Sequence, residues 1–125
     1  MNWILPETKE AFVAIKVSGR LDKNDYDTIV PTLKNRIEQY EYISLYWEME
    51  NFDGWTFGGL WTDLKFDVKY AKNFKKIAIV GEKKTHDLME SFLKPFTSSK
   101  TKYFDRDDKE VALHWAKSPI SSKLS

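Results

Sequence analysis

Short segments with the pattern of β-strands alternate along this chain with longer segments of helical periodicity. Side chains at 11–18 alternate between an apolar face and a mixed face, and those at 42–49 do the same. The run 77–80 is continuously apolar and is followed by Gly81, which is typical of a strand buried on both faces. A short last strand is predicted at 101–104. Because helices separate these strands, they are predicted to be parallel, with right-handed crossovers.

The N-terminal part predicts a hairpin and then a helix. Trp3–Leu5 precedes the first strand by a turn-sized spacing, which predicts an antiparallel pair. Asp22 and Asp25 have the spacing of a helix N-cap and its capping box. Pro31 lies inside the apolar stripe that follows, where a proline removes a helical hydrogen bond, so a short turn is predicted before it and the main helix after it.

Three further helices are predicted. One covers 55–70, one begins at Thr85 and ends at Pro95, and one begins at Asp107 or Asp108. The last of them has a predicted buried stripe of Val111, Ala112 and Trp115. The predicted fold class is therefore α/β, with a mixed sheet of about five strands, an N-terminal hairpin followed by parallel βα units, and about four covering helices.

Length and composition limit the domain organisation and the partners. The 125 residues suit one domain, predicted at 1–117, with a flexible tail at 118–125. A formal net charge of +1 gives no general attraction to nucleic acid, so no nucleic-acid partner is expected. The absence of cysteine excludes disulfides and thiolate chemistry. Neither a signal peptide nor an apolar run near the roughly 20 residues of a membrane span is present, and a cytoplasmic location is expected.

Several short motifs occur in a fixed order and spacing. They are Gly19-Arg20-Leu21, Asp25-Tyr26 with Pro31, Phe52-Asp53-Gly54-Trp55, the stretch 61–66, the stretch 77–81, Tyr103-Phe104, and the stretch 112–115. In this order they resemble the SpoIIAA-like proteins of bacteria, which are related in fold to STAS domains and to the lipid-binding CRAL-TRIO domain. The resemblance covers most of the chain. It implies the same α/β fold, and a role in regulatory binding, as in STAS relatives, or in holding an apolar ligand, as in CRAL-TRIO relatives.

Aromatic side chains concentrate where the second long strand is predicted to turn into a helix, around Asp53 and Gly54. The candidate ligand-binding aromatics are Trp47, Phe52, Trp55, Phe57 and Trp61. In open α/β sheets ligands bind beyond the carboxyl ends of strands, so aromatic walls beside a glycine would suit a small apolar or lipid-like ligand. The alternative is that the rings fill the core or mediate self-association into a homodimer.

The resemblance also raises phosphorylation as an alternative. STAS regulators of the anti-anti-sigma type carry a phosphorylatable serine at the start of the helix after the middle strand. Thr56 is the only hydroxyl at the corresponding turn here, and no Asp-Ser-Ser-Gly-like motif surrounds it. Phospho-regulated partner binding at Thr56 is therefore an alternative hypothesis and not the leading one.

Four lysines, Lys65, Lys69, Lys72 and Lys76, share helical spacing. If one helix carried them all, they would form a basic face for anionic lipid or phosphate and a peripheral membrane contact. The alternative is a solvated helix face.

The sequence contains no pattern that indicates an enzyme or a cofactor. His86 and His114 lie in different predicted helices without a cluster of ligands, so no metal site is predicted. A nucleophile elbow, a Walker A loop and a dinucleotide fingerprint are absent from the sequence. The functional prediction is a non-enzymatic binding or regulatory module without a cofactor, with a self-associating interaction module as the alternative.

Overall fold

The computed structural model of the protein describes residues 1–55, 68–82, 86, 93 and 98–118. The strands in these ranges are β1 (Asn2–Ile4), β2 (Phe12–Leu21), β3 (Ile43–Trp55), β4 (Phe74–Val80) and β5 (Lys100–Phe104). The α-helices are α1 (Lys23–Tyr40) and α2 (Lys109–Lys117), and 3-10 helices cover Val68–Asn73 and Arg106–Asp108. Within the described ranges, no helix is long and apolar enough to cross a membrane.

The five strands form one sheet in the order β1-β2-β3-β4-β5. β1 is antiparallel to β2, and every later pair is parallel. The predicted mixed five-stranded sheet with its N-terminal hairpin is therefore confirmed. The described residues contain two α-helices and not about four. The helix predicted at 85–95 lies mostly outside them, and the helix predicted at 55–70 is wrong at both ends, since Trp55 ends β3 and Val68–Asn73 is a 3-10 helix.

The start of α1 follows the predicted capping box. The side chain of Asp22 accepts a hydrogen bond from the Asp25 amide at 3.1 Å, and the side chain of Asp25 accepts one from the Asp22 amide at 3.0 Å. Two amides that the first helical turn leaves without partners are satisfied in this way. Residue 22 therefore fixes where the chain leaves β2 and begins α1.

Pro31 does not interrupt α1, so the turn predicted before it is wrong. The helix is continuous over Lys23–Tyr40, with Pro31 inside it. Pro31 is exposed, as is Asp27, whose carbonyl lacks the amide it would normally bind. Buried side chains on both sides of Pro31, among them Ile29 and Leu33, hold the two halves against the sheet. Packing of this apolar stripe outweighs the local cost of the proline.

The core has two parts, one on each face of the sheet. The larger part lies between the sheet and α1 and includes Ile15, Ile29, Leu33, Trp47 and Ile79. The smaller part lies between the opposite face and α2, and its buried residues are Phe12, Ala14, Tyr46, Ala78, Val80, Ala112 and Ala116. Within the described residues, the nine-residue helix α2 covers this face, with Ala112 and Ala116 buried against it and Leu113 and Trp115 packed beside them.

The contact face of α2 differs from the predicted stripe. Ala112 is buried as predicted and Trp115 is partly buried against the same cluster, but Val111 is 59% exposed. Ala116 is buried instead. Residues 112 and 116 are one helical turn apart, and their small side chains let the helix approach the sheet closely.

The carboxyl end of β3 contains irregularities that the sequence did not indicate. Ser18 pairs with Glu50 and Gly19 with Phe52, so Asn51 is an additional residue between two paired positions. Pairing continues to Leu21 and Trp55, so the turn predicted at 52–54 is part of the strand. The extra residue reverses the alternation of side chains, because a shift of one residue moves a side chain to the other face. Phe52 therefore joins the α1 side of the core.

Gly19 lies opposite this irregularity with a φ of 64°, a conformation in which a side chain is strained. A Cβ built on Gly19 would have no atom within 4 Å, so backbone strain is the only penalty. Gly19→Ala is expected to lower the free energy of unfolding by about 1–2 kcal/mol, measured by urea denaturation. Gly19→Asn should cost less, because asparagine tolerates this conformation better. Equal stability of wild type and Gly19→Ala would contradict the left-handed assignment.

Candidate binding cleft

A cleft of about 740 Å³ opens on the α2 side of the sheet, at the carboxyl ends of the parallel strands. Lys16, Glu48 and Glu50 contribute its sheet side. The segments that follow β4 and β5 contribute the remaining wall, together with the start of α2. We call this space the carboxyl-end cleft. The described residues that line it include five acidic side chains, namely Glu48, Glu50, Glu82, Asp105 and Asp107, and three basic ones, namely Lys16, Arg106 and Lys109.

The alternation of side chains along two neighbouring strands places the charges in the cleft. Lys16 pairs in register with Glu48, and Ser18 with Glu50. One step further toward the amino ends, Ala14 pairs with Tyr46, and both of these are buried under α2. Because side chains two residues apart lie on the same face, the face changes from apolar to charged where α2 no longer covers it.

Glu50 connects two basic side chains across the cleft. Its Oε1 lies 2.6 Å from the Lys16 ammonium, and its Oε2 lies 3.3 Å from Nη2 of Arg106. The hydrogen bond with Glu50 raises the pKa of Lys16, and the same bond lowers the pKa of Glu50. Both groups are therefore charged at neutral pH. The network joins β2, β3 and the segment after β5, which are far apart in sequence.

A tyrosine and a glutamate form a buried pair below this network. Tyr46 is fully buried, and its hydroxyl donates a hydrogen bond to Oε1 of Glu48 at 2.8 Å. Burial, reinforced by the neighbouring Glu48, raises the pKa of Tyr46 well above its usual range, so the phenol remains a donor at neutral pH. Glu48 is 9% exposed and lines the cleft. The tyrosine thus holds the carboxylate in one orientation.

The location of the cleft agrees with the general position of ligand sites in open α/β sheets, beyond the carboxyl ends of the strands. Its ionic side chains are already ordered by one another, so little entropy would be lost in fixing them on binding. Among the residues that the structure describes, no group of three or more His, Cys, Asp or Glu side chains is arranged to hold a metal ion. The arrangement is suited to recognising a charged group.

Comparison with known proteins identifies the family of this chain. A family model described as SpoIIAA-like matches residues 12–117 of the chain. This chain belongs to the SpoIIAA-like family. The match covers everything from the start of β2 to the end of α2, and therefore includes all of the described residues that line the carboxyl-end cleft. The resemblance inferred from the short motifs is confirmed.

A solved structure has a similar fold along nearly its whole length. It is an uncharacterised protein with a SpoIIAA-like fold from Shewanella loihica PV-4, 28% identical to this SpoIIAA-like protein, with a TM-score of 0.67. The alignment covers 92% of this chain and 93% of that one. A comparison with curated proteins found no match.

The predicted aromatic site is only partly described in this SpoIIAA-like protein. Trp47 and Phe52 are buried in the α1 side of the core. Trp47 is 0% exposed, as the core alternative predicts. Asp53 is exposed on β3, and the backbone of Gly54 and Trp55 continues that strand. Thr56, Phe57 and Trp61 lie outside the described residues. The structure therefore does not bring the predicted aromatics together into a pocket within the ranges it describes.

The predicted basic face does not form along one helix. Lys72 lies in the 3-10 helix, and Lys76 lies on β4, on the face that α2 covers. The ammonium of Lys76 donates to the carbonyls of Trp115 and Ser118 and to the Ser118 hydroxyl, at 2.7–3.2 Å. Burial lowers the pKa of Lys76, and the nearby Lys100 and Lys102 lower it further. Lys76 stabilises the end of α2.

The remaining basic candidates give no further information on this face. Lys65 lies outside the described residues, and only the backbone of Lys69 is described. Of the two histidines, His114 is exposed, and the ring of His86 lies 4.8 Å from that of Tyr103. Ser118 is the last residue described, so the predicted tail at 118–125 lies outside apart from that residue.

Sequence reasoning missed the carboxyl-end cleft. Its signal was present in the strand patterns, because Lys16 and Glu48 are charged residues at positions that continue apolar faces begun by Ala14 and Tyr46. The acidic stretch after the last strand was interpreted as the start of a helix, and Asp108 is the N-cap of α2. Only the parallel pairing of four strands brings these segments to one place.

Proposed function

We propose that this SpoIIAA-like protein is a non-enzymatic binding or regulatory module whose protein partner docks in the carboxyl-end cleft. The observation that carries the proposal is the network in which Glu50 holds Lys16 and Arg106 at 2.6 Å and 3.3 Å inside a cleft of about 740 Å³. Fixed charges of both signs give an interface its specificity and orientation.

Two features support binding without chemistry. The polar groups of the cleft act on one another through an ion-pair network and a buried hydrogen bond. The lining residues within the described ranges include no serine, threonine or histidine. The strands that carry them are rigid elements of the sheet, which suits recognition by preformed geometry. A partner segment would contact Arg106 and Lys109 from the solvent side, where both are exposed.

The test compares two charge reversals. Wild type, Arg106→Glu and Lys72→Glu are used to isolate partners from an extract of the source cell, and the dissociation constant of each purified partner is then measured by calorimetry. Arg106→Glu breaks the contact with Glu50 and should weaken binding at least tenfold, because Glu50 and the Lys16 that it binds are no longer held in one arrangement. Lys72→Glu, in the 3-10 helix that precedes β4, is the matched control and should bind as wild type does.

Either variant can contradict the proposal. Equal affinity of Arg106→Glu and wild type for every reconstituted partner would remove the carboxyl-end cleft as the docking site. Loss of binding in Lys72→Glu alone would favour the basic surface predicted from the sequence. Circular dichroism of both variants confirms that each comparison is made on folded protein.

A second candidate is a small apolar or lipid-like ligand held by Trp55, Phe57 and Trp61. It is favoured by the position of Trp55, which is the last residue of β3 and pairs with Leu21 at the carboxyl end of the sheet. Native mass spectrometry followed by organic extraction distinguishes the possibilities. A stoichiometric apolar species that Trp55→Ala loses would support this candidate. A protein-only monomer supports the docking module, and a protein-only dimer supports the self-associating alternative.

A further inference from the structure

We propose that the carboxyl-end cleft takes a basic side chain of a protein partner, a lysine ammonium or an arginine guanidinium, and that Glu48 is the anchor for it. This inference rests on the proposed docking function and adds the chemistry of the partner. It is carried by the contacts of Glu48, by the contacts of its neighbour Lys16, and by the charges at the cleft rim.

Glu48 is a largely buried carboxylate that the described residues satisfy only in part. It is 9% exposed, and one oxygen, Oε1, accepts a hydrogen bond from Tyr46. Within the described ranges, the other oxygen accepts no hydrogen bond and Glu48 forms no ion pair. A buried charge is costly unless it is paired and fully hydrogen-bonded. Because Glu48 lines the cleft, a cation that enters the cleft would supply the pairing.

The basic residue opposite Glu48 on β2 is bound to another carboxylate. Lys16 is the register partner of Glu48 on β2, but its ammonium lies 2.6 Å from Oε1 of Glu50. Arg106 contacts the other oxygen of the same Glu50. Lys16 and Arg106 therefore share the Glu50 carboxylate. Neither forms an ion pair with Glu48, although the charge of Glu48 contributes to the raised pKa of Lys16.

The rim of the cleft has the charge that would attract a basic group. Asp105 and Asp107 line it and are exposed. Among the lining residues that the structure describes, acidic side chains outnumber basic ones by five to three. An anionic ligand would have to approach Glu48 and displace Glu50, so the balance of charge opposes it. A cation would be drawn toward the cleft by the rim and would then reach the buried carboxylate.

The experiment titrates labelled protein with a penta-lysine peptide at low salt and follows the backbone amides by NMR. Shifts are expected at Lys16, Glu48, Gly81 and Arg106, and the dissociation constant should rise with added salt. Glu48→Gln keeps an acceptor for Tyr46 and removes the charge, and it should weaken binding at least fivefold. Glu38→Gln, on the exposed side of α1, is the matched control and should leave the affinity unchanged.

A second variant and two other probes keep the inference testable. If Glu48→Gln does not fold, Asp105→Asn with Asp107→Asn removes the rim charges at exposed positions and should weaken binding about threefold, a factor that corresponds to roughly 0.65 kcal/mol. Penta-glutamate should not bind. Equal penta-lysine affinity in wild type and Glu48→Gln, or in wild type and the rim variant, would overturn the inference. Tighter binding of spermidine than of the peptide would overturn the choice of a protein side chain.

The outcome is separable from that of the docking proposal. A natural partner could bind wild type and lose affinity in Arg106→Glu, yet bind Glu48→Gln equally well and not compete with penta-lysine. That result would overturn the role of Glu48 as an anchor for a cation and would still support the carboxyl-end cleft as the docking site. Conversely, penta-lysine could require Glu48 for binding while natural partners bind Arg106→Glu as tightly as wild type. That result would support Glu48 as the anchor and overturn the docking proposal.

Discussion

Trp47→Ala is expected to lower the free energy of unfolding by about 3–5 kcal/mol, a large part of the stability of a domain of this size. The indole is 0% exposed, and Trp47 lies between Ile15 of β2 and Ile79 of β4 in the middle of the sheet. Truncation removes the apolar area of the ring and leaves a cavity that neighbouring strands cannot close, because backbone pairing fixes their spacing. Urea denaturation monitored by far-ultraviolet circular dichroism measures the loss.

Trp3→Ala is the matched control for this substitution. Trp3 is 42% exposed on the edge strand β1, with the Lys16 ammonium 5.5 Å from the centre of its ring. Its removal should cost less than about 1 kcal/mol, since much of its surface already contacts water. Should Trp47→Ala prove nearly as stable as wild type while losing a bound ligand, Trp47 would be a pocket wall and not a core residue.

Local periodicity explains why most of the sheet could be predicted. Strand pairs bury alternate side chains, so Val13, Ile15 and Val17 had to share a face, as did Leu45 and Trp47. Alternation says which residues share a face, but not what covers it. Trp47 is a core residue because it packs in the same buried cluster as the apolar side chains of α1. The position of α1 over the sheet is a property of the fold and not of the local sequence.

The errors of prediction have a common physical origin in tertiary contacts. Asn51 has a φ of 52° and adds one residue to β3, and this places Phe52 on the face opposite to the one that simple alternation gives. No local pattern marks such a bulge. On local grounds Pro31 predicts a short turn before it and the main helix after it, yet the packed stripe on either side of it keeps α1 continuous. In both cases packing outweighs a local preference.

The carboxyl-end cleft was unpredictable for a different reason. Its parts come from β2, β3 and the segments after β4 and β5, and no two of these segments are neighbours in the chain. Each charged residue has an ordinary interpretation when it is seen alone. Glu48 in particular appears in the sequence as a polar position in an alternating strand, and its burial beneath an ion-pair network follows only from the register of β2 with β3.

The second large effect is expected at Asp25, where Asp25→Asn should lower the free energy of unfolding by about 1–3 kcal/mol at pH 7. This carboxylate is buried, and three donors converge on it, namely the Asp22 amide at 3.0 Å, the Asn2 side-chain amide at 2.8 Å and the N-terminal ammonium of Met1 at 3.1 Å. An asparagine would direct its own NH₂ group at one of these donors. The capping box of α1 and the contact between β1 and α1 would weaken together.

The pKa of Asp25 gives this loss a defined pH dependence. Burial raises the pKa, but the hydrogen bonds from Asp22, Asn2 and the N-terminal ammonium outweigh burial, so the pKa lies below its usual value. A depressed carboxyl pKa stabilises the folded protein above the pKa of the unfolded chain, which is about 3.9, and that stabilisation is lost as the pH falls through the folded value. The difference between wild type and Asp25→Asn should therefore be constant near neutrality and shrink below about pH 4.

Asp27→Asn, in the same helical turn, separates this effect from a general response of α1 to acid. Asp27 is exposed and pairs with Lys23 at 3.0 Å in an ordinary i,i+4 contact. Its replacement should change the free energy of unfolding by less than about 0.5 kcal/mol at any pH. Urea denaturation of wild type, Asp25→Asn and Asp27→Asn between pH 3 and pH 8 measures how the free energy of unfolding of each protein depends on pH. The difference in the free energy of unfolding between wild type and Asp25→Asn could instead be the same at every pH. That result would show that the geometry of the side chain and not its charge explains the lost stability, and that the three donors do not hold Asp25 as a carboxylate.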